Sequence, residues 1–310
     1  MNHAHCEALL REKDGFLIVT HLRPDGDTLG SAGALCSALR RLGKTAWLYP
    51  NPQITENYRP YVAAYLAPEG YTWDTVLAVD VADTTMFPLG FSCAVDLAID
   101  HHPSNSRYAR ETLLGAEKAA CGELILELIT GLAGAPTPEE ATLLYLALAT
   151  DTGNFAYANT TADTFRAAAA LADAGADRAE VNRTIRKVSP ARLRLEGMVY
   201  DGLRIYRDGQ LVTAVVSLGM MERAGATEND CDDLASLANR LNTGKVSVTI
   251  REIAPGECKV SLRTGREVNA SEVCAVFGGG GHAMAAGCTI KASPEDAEAE
   301  MVRTIERFWP

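Results

Sequence analysis

Aspartate and histidine fall in this chain as short groups in separate segments. His21, Asp25 and Asp27 lie in the stretch H-L-R-P-D-G-D, Asp80 follows an apolar run, Asp100, His101 and His102 are consecutive, and Asp151 opens D-T-G-N. Oxygen donors mixed with a few imidazoles suit Mn²⁺, and also Mg²⁺ or Fe²⁺. Six or seven such ligands are too many for one four-coordinate zinc and about right for two ions sharing a carboxylate. Two ions about 3.5–4 Å apart can generate a hydroxide nucleophile and neutralise the charge of a phosphoryl transition state.

Taken singly, each residue has a plainer explanation. Asp83 and Asp96 read as turn or helix caps, Asp25 and Asp27 could cap a helix beginning at Thr28, and a histidine pair is commonly structural. The metal reading rests on four independent segments that offer Asp or His at equivalent places, the ends of predicted strands and of one helix. A second group lies near the C-terminus, where Gly278, Gly279, Gly280, Gly281 and His282 follow V-F. Four glycines permit close backbone approach and expose N–H groups to an anion, and His282 could donate to a phosphate oxygen. Upstream, the strand pattern K-V-S-L-R puts Lys259, Ser261 and Arg263 on one face.

These residues must be held by regular elements. Apolar runs over 16–20, 44–49, 75–79 and 94–99 read as strands, and 28–42 as the first helix between them, so a parallel α/β sheet is expected. Ligands then gather at the carboxyl ends of the strands. Helices are expected over 121–131, 137–149, 161–174, 181–187 and 191–202. Alternating patterns over 203–206, 211–217, 245–252 and 258–263 predict further strands, with a turn at Gly209, a helix over 231–241, another over 272–277, and a strand over 287–291. The composition shift near residue 190 divides the chain into an N-terminal domain over 1–187, a helical linker over 188–200 and a C-terminal domain over 201–310.

Length and composition agree with this division. The chain has 310 residues, 47% hydrophobic and 22% charged, with 40 acidic against 29 basic residues and a formal charge of −11. A broad basic surface for long duplex DNA is therefore not expected, whereas short anions can be met by bound metal. No run approaches the ~20 apolar residues of a membrane helix. The absence of an export pattern at the start, together with eight scattered cysteines, fits reduced thiols in the cytoplasm.

With these groups side by side, the chain resembles the DHH phosphoesterase superfamily, named for the triplet present here as Asp100, His101 and His102. The stretches T-H-L-R-P-D-G-D-T-L-G-S, A-I-D-H-H-P-S-N and A-T-D-T-G-N-F carry the likeness, and G-G-G-G-H is similar to the DHH-associated C-terminal domain. In length and layout it is most similar to the group of bifunctional oligoribonucleases and 3′-phosphoadenosine 5′-phosphate phosphatases.

The resemblance implies an α/β parallel-sheet N-terminal domain, a smaller α+β C-terminal domain and an active site in the cleft between them. It implies two divalent ions, Mn²⁺ first and Mg²⁺ or Co²⁺ as substitutes. His21 and Asp25 would hold one, Asp27, His101 and Asp151 the other, and Asp80 both. His102 would face the scissile phosphate, Asp100 would orient the histidines, and Arg263 with Gly278, Gly279, Gly280, Gly281 and His282 would clamp the far end of the nucleotide. The implied activity hydrolyses short RNA to nucleoside 5′-monophosphates and the bisphosphate to AMP and phosphate. A phosphodiesterase for linear or cyclic dinucleotides, a pyrophosphatase on the same N-terminal domain and a non-catalytic nucleotide sensor are the alternatives. The implied partners are short RNA or a small nucleotide, with no membrane and a homodimer compatible. One departure stands out: Met86 occupies a position where members often carry an arginine, a role that Arg107 could fill.

Overall fold

A computed structural model describes residues 1–231, 234, 237, 238, 241 and 243–309. The chain forms two compact units, Met1–Lys187 and Val188–Pro310. The first contains, in order, α1 (His3–Glu12), β1 (Phe16–Val19), α2 (Gly26–Arg41), β2 (Ala46–Leu48), α3 (Arg59–Val62), β3 (Thr75–Val79), β4 (Leu97–Asp100), β5 (Glu111–Leu114), α4 (Cys121–Ala133), α5 (Pro138–Asp151), α6 (Ala162–Asp173) and α7 (Arg178–Arg186). Its five strands run in the order β2-β1-β3-β4-β5, and all pairs are parallel.

Strands β1, β3 and β4 are buried at every residue, as a parallel sheet covered on both faces requires. Parallel pairing puts all their carboxyl ends on one edge. That edge is where His21, Asp80 and the Asp100–His102 triplet leave the sheet. The strand expected over 94–99 begins only at Leu97, because Asp96 spends its carboxylate on the Val76 amide at 2.9 Å and its own N–H on the Val76 carbonyl. Strand β5 was not legible in the sequence: it is a four-residue edge strand with two half-exposed ends.

Helix α2 determines where the aspartates go. It packs antiparallel on α5 through Gly26, Gly30 and Gly33, spaced so that one face carries no side chain. A Cβ at Gly30 would overlap the Leu143 carbonyl oxygen and come within 3.1 Å of the Ala147 nitrogen. This approach sets the amino end of α2, with Asp25 and Asp27, beside the carboxyl end of α5, with Asp151. Helix α5 starts from a capping box between Thr137 and Glu140.

The second unit contains α8 (Pro190–Asp201), β6 (Arg204–Tyr206), β7 (Leu211–Val216), α9 (Leu218–Ala224), β8 (Val246–Ala254), β9 (Glu257–Thr264), α10 (Ala270–Ala275), β10 (Gly280–His282), β11 (Ala285–Ile290) and α11 (Pro294–Phe308). Its sheet is mixed, in the order β10-β11-β9-β8-β7-β6, with β7 and β8 the parallel pair. Along β9 burial alternates, so Lys259 and Arg263 are exposed while Val260 and Leu262 enter the core. Most of the helix expected over 231–241 lies outside the described residues.

The α2–α5 contact yields a prediction about stability. Replacing glycine by alanine inside a helix ordinarily stabilises by about 1 kcal/mol. At Gly30 the added methyl meets backbone, and overpacking costs about 1–3 kcal/mol. Gly30→Ala is therefore expected to lower stability, read as a lower urea midpoint. A higher midpoint would show that the two helices can separate freely.

Candidate metal centre

His21 follows β1. Its Nδ1 lies 2.8 Å from the Leu22 carbonyl, which turns Nε2 toward Asp25 Oδ1 at 3.6 Å and Asp80 Oδ2 at 3.8 Å. Asp25 also caps α2, accepting from the amides of Asp27 and Thr28 at 3.0 and 3.1 Å, so capping and metal approach coexist in one carboxylate. Asp27, fully buried, sits in the first turn of α2. It accepts from the Ser31 hydroxyl at 3.0 Å and from the amides of Cys121 and Gly122 at 2.7 and 3.0 Å. The amino end of α4 has no cap of its own, and Asp27 fills that place from another helix.

His101 is held by the Lys118 carbonyl, 3.2 Å from Nδ1, and its Nε2 faces Asp151 at 3.3 Å, Asp80 at 3.4 Å and Asp27 at 3.8 Å. Thus His21, Asp25 and Asp80 form one group of possible ligands and Asp27, His101 and Asp151 another. A third, Asp80, His101 and His102, shares members with both. Within each group the ligand atoms lie within 4.8 Å of one another. Metal–ligand bonds near 2.1 Å put neighbouring ligands about 3 Å and opposite ones about 4.2 Å apart, so the spacing suits a divalent ion. Two atoms test the fit independently. Asp80 Oδ1 and His101 Nε2 are buried without a hydrogen bond, and both point into the ligand groups. Neutral imidazole with Nδ1 tied to a carbonyl is the form that binds metal through Nε2.

Backbone strain marks the same place. Asp80, a residue with a Cβ, adopts φ of 60°, while its amide donates to the Ile99 carbonyl at 2.9 Å. Asp100 belongs to none of the ligand groups but touches His102, a member of the third. Its Oδ1 accepts from the amides of His101 and His102 and lies 2.8 Å from His102 Nδ1, while Oδ2 accepts from Asn105 at 2.6 Å. Asn105 and the α4 amides escaped sequence reasoning. The first stands at a fixed offset in D-H-H-P-S-N and could have been noticed; the second leaves no trace in side-chain chemistry.

The electrostatics follow from this geometry. Burial, then the neighbouring carboxylates, push Asp27 and Asp80 well above the usual carboxylate range. Asp151 is raised chiefly by burial, with the histidines opposing. For Asp25, burial is outweighed by His21 and the backbone amides, and its pKa falls. Burial likewise opposes but does not prevent a lowering at Asp100, where His102 and Asn105 prevail. The Asp100 carboxylate in turn raises His102.

In the second unit the substrate residues expected from sequence are arranged differently from a free loop. Gly278 and Gly279 donate their amides to the carboxyl end of α10, at Ala275 and Cys274, both at 3.0 Å. Gly280, Gly281 and His282 form β10, an exposed edge strand on β11, in place of the open glycine cradle the sequence suggested. Edge pairing occupies only the amides that face β11 and leaves the outward-facing ones unpaired. His282 pairs with Ala285, and Ala285 with Arg263, so the three lie in one row across the sheet. A cavity of about 740 Å³ beside this row is lined by Lys245, Arg263 and Arg266 with Glu267. Met86 closes a short turn, and its carbonyl accepts from the Leu22 amide at 2.5 Å, so it supports the His21 loop through backbone. Arg107 is exposed, at φ of 57°.

Residues 15–148 match the DHH family N-terminal domain, and residues 208–309 match the DHHA1 domain. A bifunctional oligoribonuclease and PAP phosphatase NrnA from Thermus thermophilus is 35% identical over 302 residues, spanning 96% of this chain and 90% of that protein. The chain belongs to the DHH family. Among solved structures, an exopolyphosphatase-related protein from Bacteroides fragilis shares the fold of this DHH chain with a TM-score of 0.83 at 22% identity, covering 99% of this chain and 96% of that one. RecJ from Thermus thermophilus, solved in complex with Mn²⁺, has a TM-score of 0.52 at 17% identity and covers 99% of this chain and 55% of its own. Among the described residues, no helix of the DHH protein is long and apolar enough to cross a membrane.

The raised carboxylates give the metal-free protein a distinctive pH dependence. Between the ordinary carboxylate pKa and the raised folded values of Asp27 and Asp80, the native state binds more protons than the unfolded chain. Stability therefore falls as pH rises through that window. Asp25 and Asp100 act oppositely and only at lower pH, where their contribution is lost on acidification. In EDTA at pH 7.5, Asp80→Asn is expected to melt higher than the parent, by about 2–4 °C per kcal/mol of repulsion relieved. Added Mn²⁺ should stabilise the parent more than the variant. Thermal melting at pH 5 and 7.5 checks both signs.

Proposed function

We propose that this protein is a divalent-metal-dependent phosphoesterase that hydrolyses short oligoribonucleotides to nucleoside 5′-monophosphates and 3′-phosphoadenosine 5′-phosphate to AMP and phosphate. The observation that carries the reading is the pair of ligand groups linked through Asp80 and His101, whose Oδ1 and Nε2, 3.4 Å apart, are buried without a hydrogen bond. The substrate class is that named for the Thermus thermophilus relative, with which this chain aligns along nearly its whole length.

His21, Asp25 and Asp80 would hold one ion, and Asp27, His101 and Asp151 the other, with Asp80 common to both. Mixed carboxylate and imidazole donors favour Mn²⁺, with Mg²⁺ or Co²⁺ as substitutes. When bound, such ions polarise the phosphoryl group and acidify a water. The chain's own residues do the remaining work. Asp100, accepting from Nδ1 of His102, favours the imidazolium and leaves Nε2–H to donate to a phosphoryl oxygen or to the departing ribose oxygen. Water adds to phosphorus, the bond to the ribose oxygen breaks, and that oxygen leaves with a proton. Residues 1–187 would carry this chemistry, and 201–310 would bind substrate through Arg263, Lys245 and Arg266, with His282 and the glycines of 278–281 beside them.

The test is turnover with Mn²⁺ on an RNA trimer, 3′-phosphoadenosine 5′-phosphate, a cyclic dinucleotide and pyrophosphate. Hydrolysis of the first two is expected, abolished by Asp80→Asn and reduced about 10–100-fold by Asp100→Ala or Asn105→Ala, which disturb ligand orientation rather than the ligands. Preference for the cyclic dinucleotide or pyrophosphate would reassign the substrate, and silence on all four with metal bound would favour a sensor.

A further inference from the structure

Tyr157 sits in the turn that follows Asp151, and neither core packing nor the proposed chemistry accounts for it. The turn is built from three successive left-handed residues, Gly153 (φ 56°), Asn154 (57°) and Phe155 (65°). The last two carry side chains, and such conformations persist only where the surroundings fix them. Thr152 does so: its carbonyl accepts from the amides of Ala156 and Tyr157, both at 2.9 Å, and its hydroxyl accepts from the Phe155 amide at 3.0 Å. Asn159 ties the far end back, donating to the carbonyls of Asp151 at 3.0 Å and Ala119 at 3.1 Å. Ala119 follows Lys118, whose carbonyl holds His101. The turn is therefore anchored to the loops of two candidate ligands.

Its product is the position of one ring. Tyr157 lies against Gly153 so closely that a Cβ there would overlap the ring, coming within 2.7 Å of Cδ1. The ring has backbone on one side, and Tyr157 as a residue is 54% exposed. Of the nearby aromatics, Phe155 packs on Tyr145 at 5.8 Å with one foot in the core, and Phe165, as exposed as Tyr157, has one face stacked on Phe155 at 5.8 Å. A rigidly presented ring with an open flank, two residues past the ligand turn, suits a flat apolar partner next to the phosphoryl group.

We propose that Tyr157 stacks on the base of the nucleotide whose phosphate occupies the metal centre, an inference that rests on the nucleotide reading above. Stacking reads the face shared by every base and none of their edges, so it admits short RNA of any sequence. It also separates nucleotides from inorganic phosphates, which have no base.

The test compares two ligands on the full-length, Mn²⁺-loaded protein by calorimetry. One is a non-hydrolysable methylenephosphonate analogue of a 5′-phosphorylated adenylate dinucleotide; the other has tetrahydrofuran in place of both bases. The parent is expected to bind the first about tenfold or more tightly than the second. In Tyr157→Ala this ratio should fall toward one, and in Tyr157→Phe it should be retained. Equal affinity for the two ligands in the parent, no binding of either, or an unchanged ratio in Tyr157→Ala overturns the proposal, as does equal loss in the phenylalanine variant. Hydrolysis of the natural dinucleotide, assayed alongside, reports separately on the phosphoesterase reading.

Discussion

Mutual repulsion among carboxylates governs the first unit. Asp25, Asp27, Asp80 and Asp151 crowd around two histidines, and Asp27 and Asp80 are almost completely buried. Two unit charges 4 Å apart repel by about 4 kcal/mol even at an effective dielectric of 20. Such an arrangement survives only if protons or cations neutralise it, and at neutral pH divalent ions would do so without filling the site with side chains. The scaffold opposes the repulsion mechanically. Asp27 is pinned by three donors, Asp80 by strained backbone at a strand end, and Asp151 by the glycine-lined contact of α5 with α2.

The same constraint explains how an acidic protein can handle anions. A chain with a formal charge of −11 offers no general attraction to a polyphosphate backbone. Positive charge could instead be concentrated in divalent ions held by the carboxylate cluster, and it is gathered in the Lys245, Arg263 and Arg266 cavity of the second unit. Few phosphates can be satisfied by so few charges.

Much of this was legible in sequence because strand ends and ligands coincide. Apolar runs over 16–20 and 75–79 end directly before His21 and Asp80, so period and chemistry point to the same residues. The approach of Asp151 was less legible, since nothing local says which helix α5 packs against; only Gly26, Gly30 and Gly33 at helical spacing hint at it. The glycine run near 280 misled for a physical reason. Glycine's freedom predicts an open loop, whereas Gly278 and Gly279 turn their amides back onto α10 and Gly280–His282 pair along β11. Strand β5 and Asn105 were missed because a four-residue edge strand and a single buried amide carry no periodic signal.

Strain supplies the remaining link between fold and site. Among the described residues, seven non-glycine residues adopt positive φ, and Arg207 and Asp208 belong to the hairpin turn between β6 and β7. The other five are Arg23, Asp80, Arg107, Asn154 and Phe155. Arg23 lies between His21 and Asp25, Asp80 is itself a ligand, Arg107 donates its amide to Asn105, and Asn154 and Phe155 follow Asp151. Every candidate ligand loop at the carboxyl edge of the sheet thus contains a conformation that costs about 1–3 kcal/mol in isolation. A sheet edge alone would place these loops but leave their side chains to choose among rotamers and turns. Left-handed kinks, each with its amide hydrogen-bonded to a backbone carbonyl or to a side-chain oxygen, remove that choice. The price in stability is met by the buried strands and the α2–α5 contact, which are the parts of the fold that carry no chemistry.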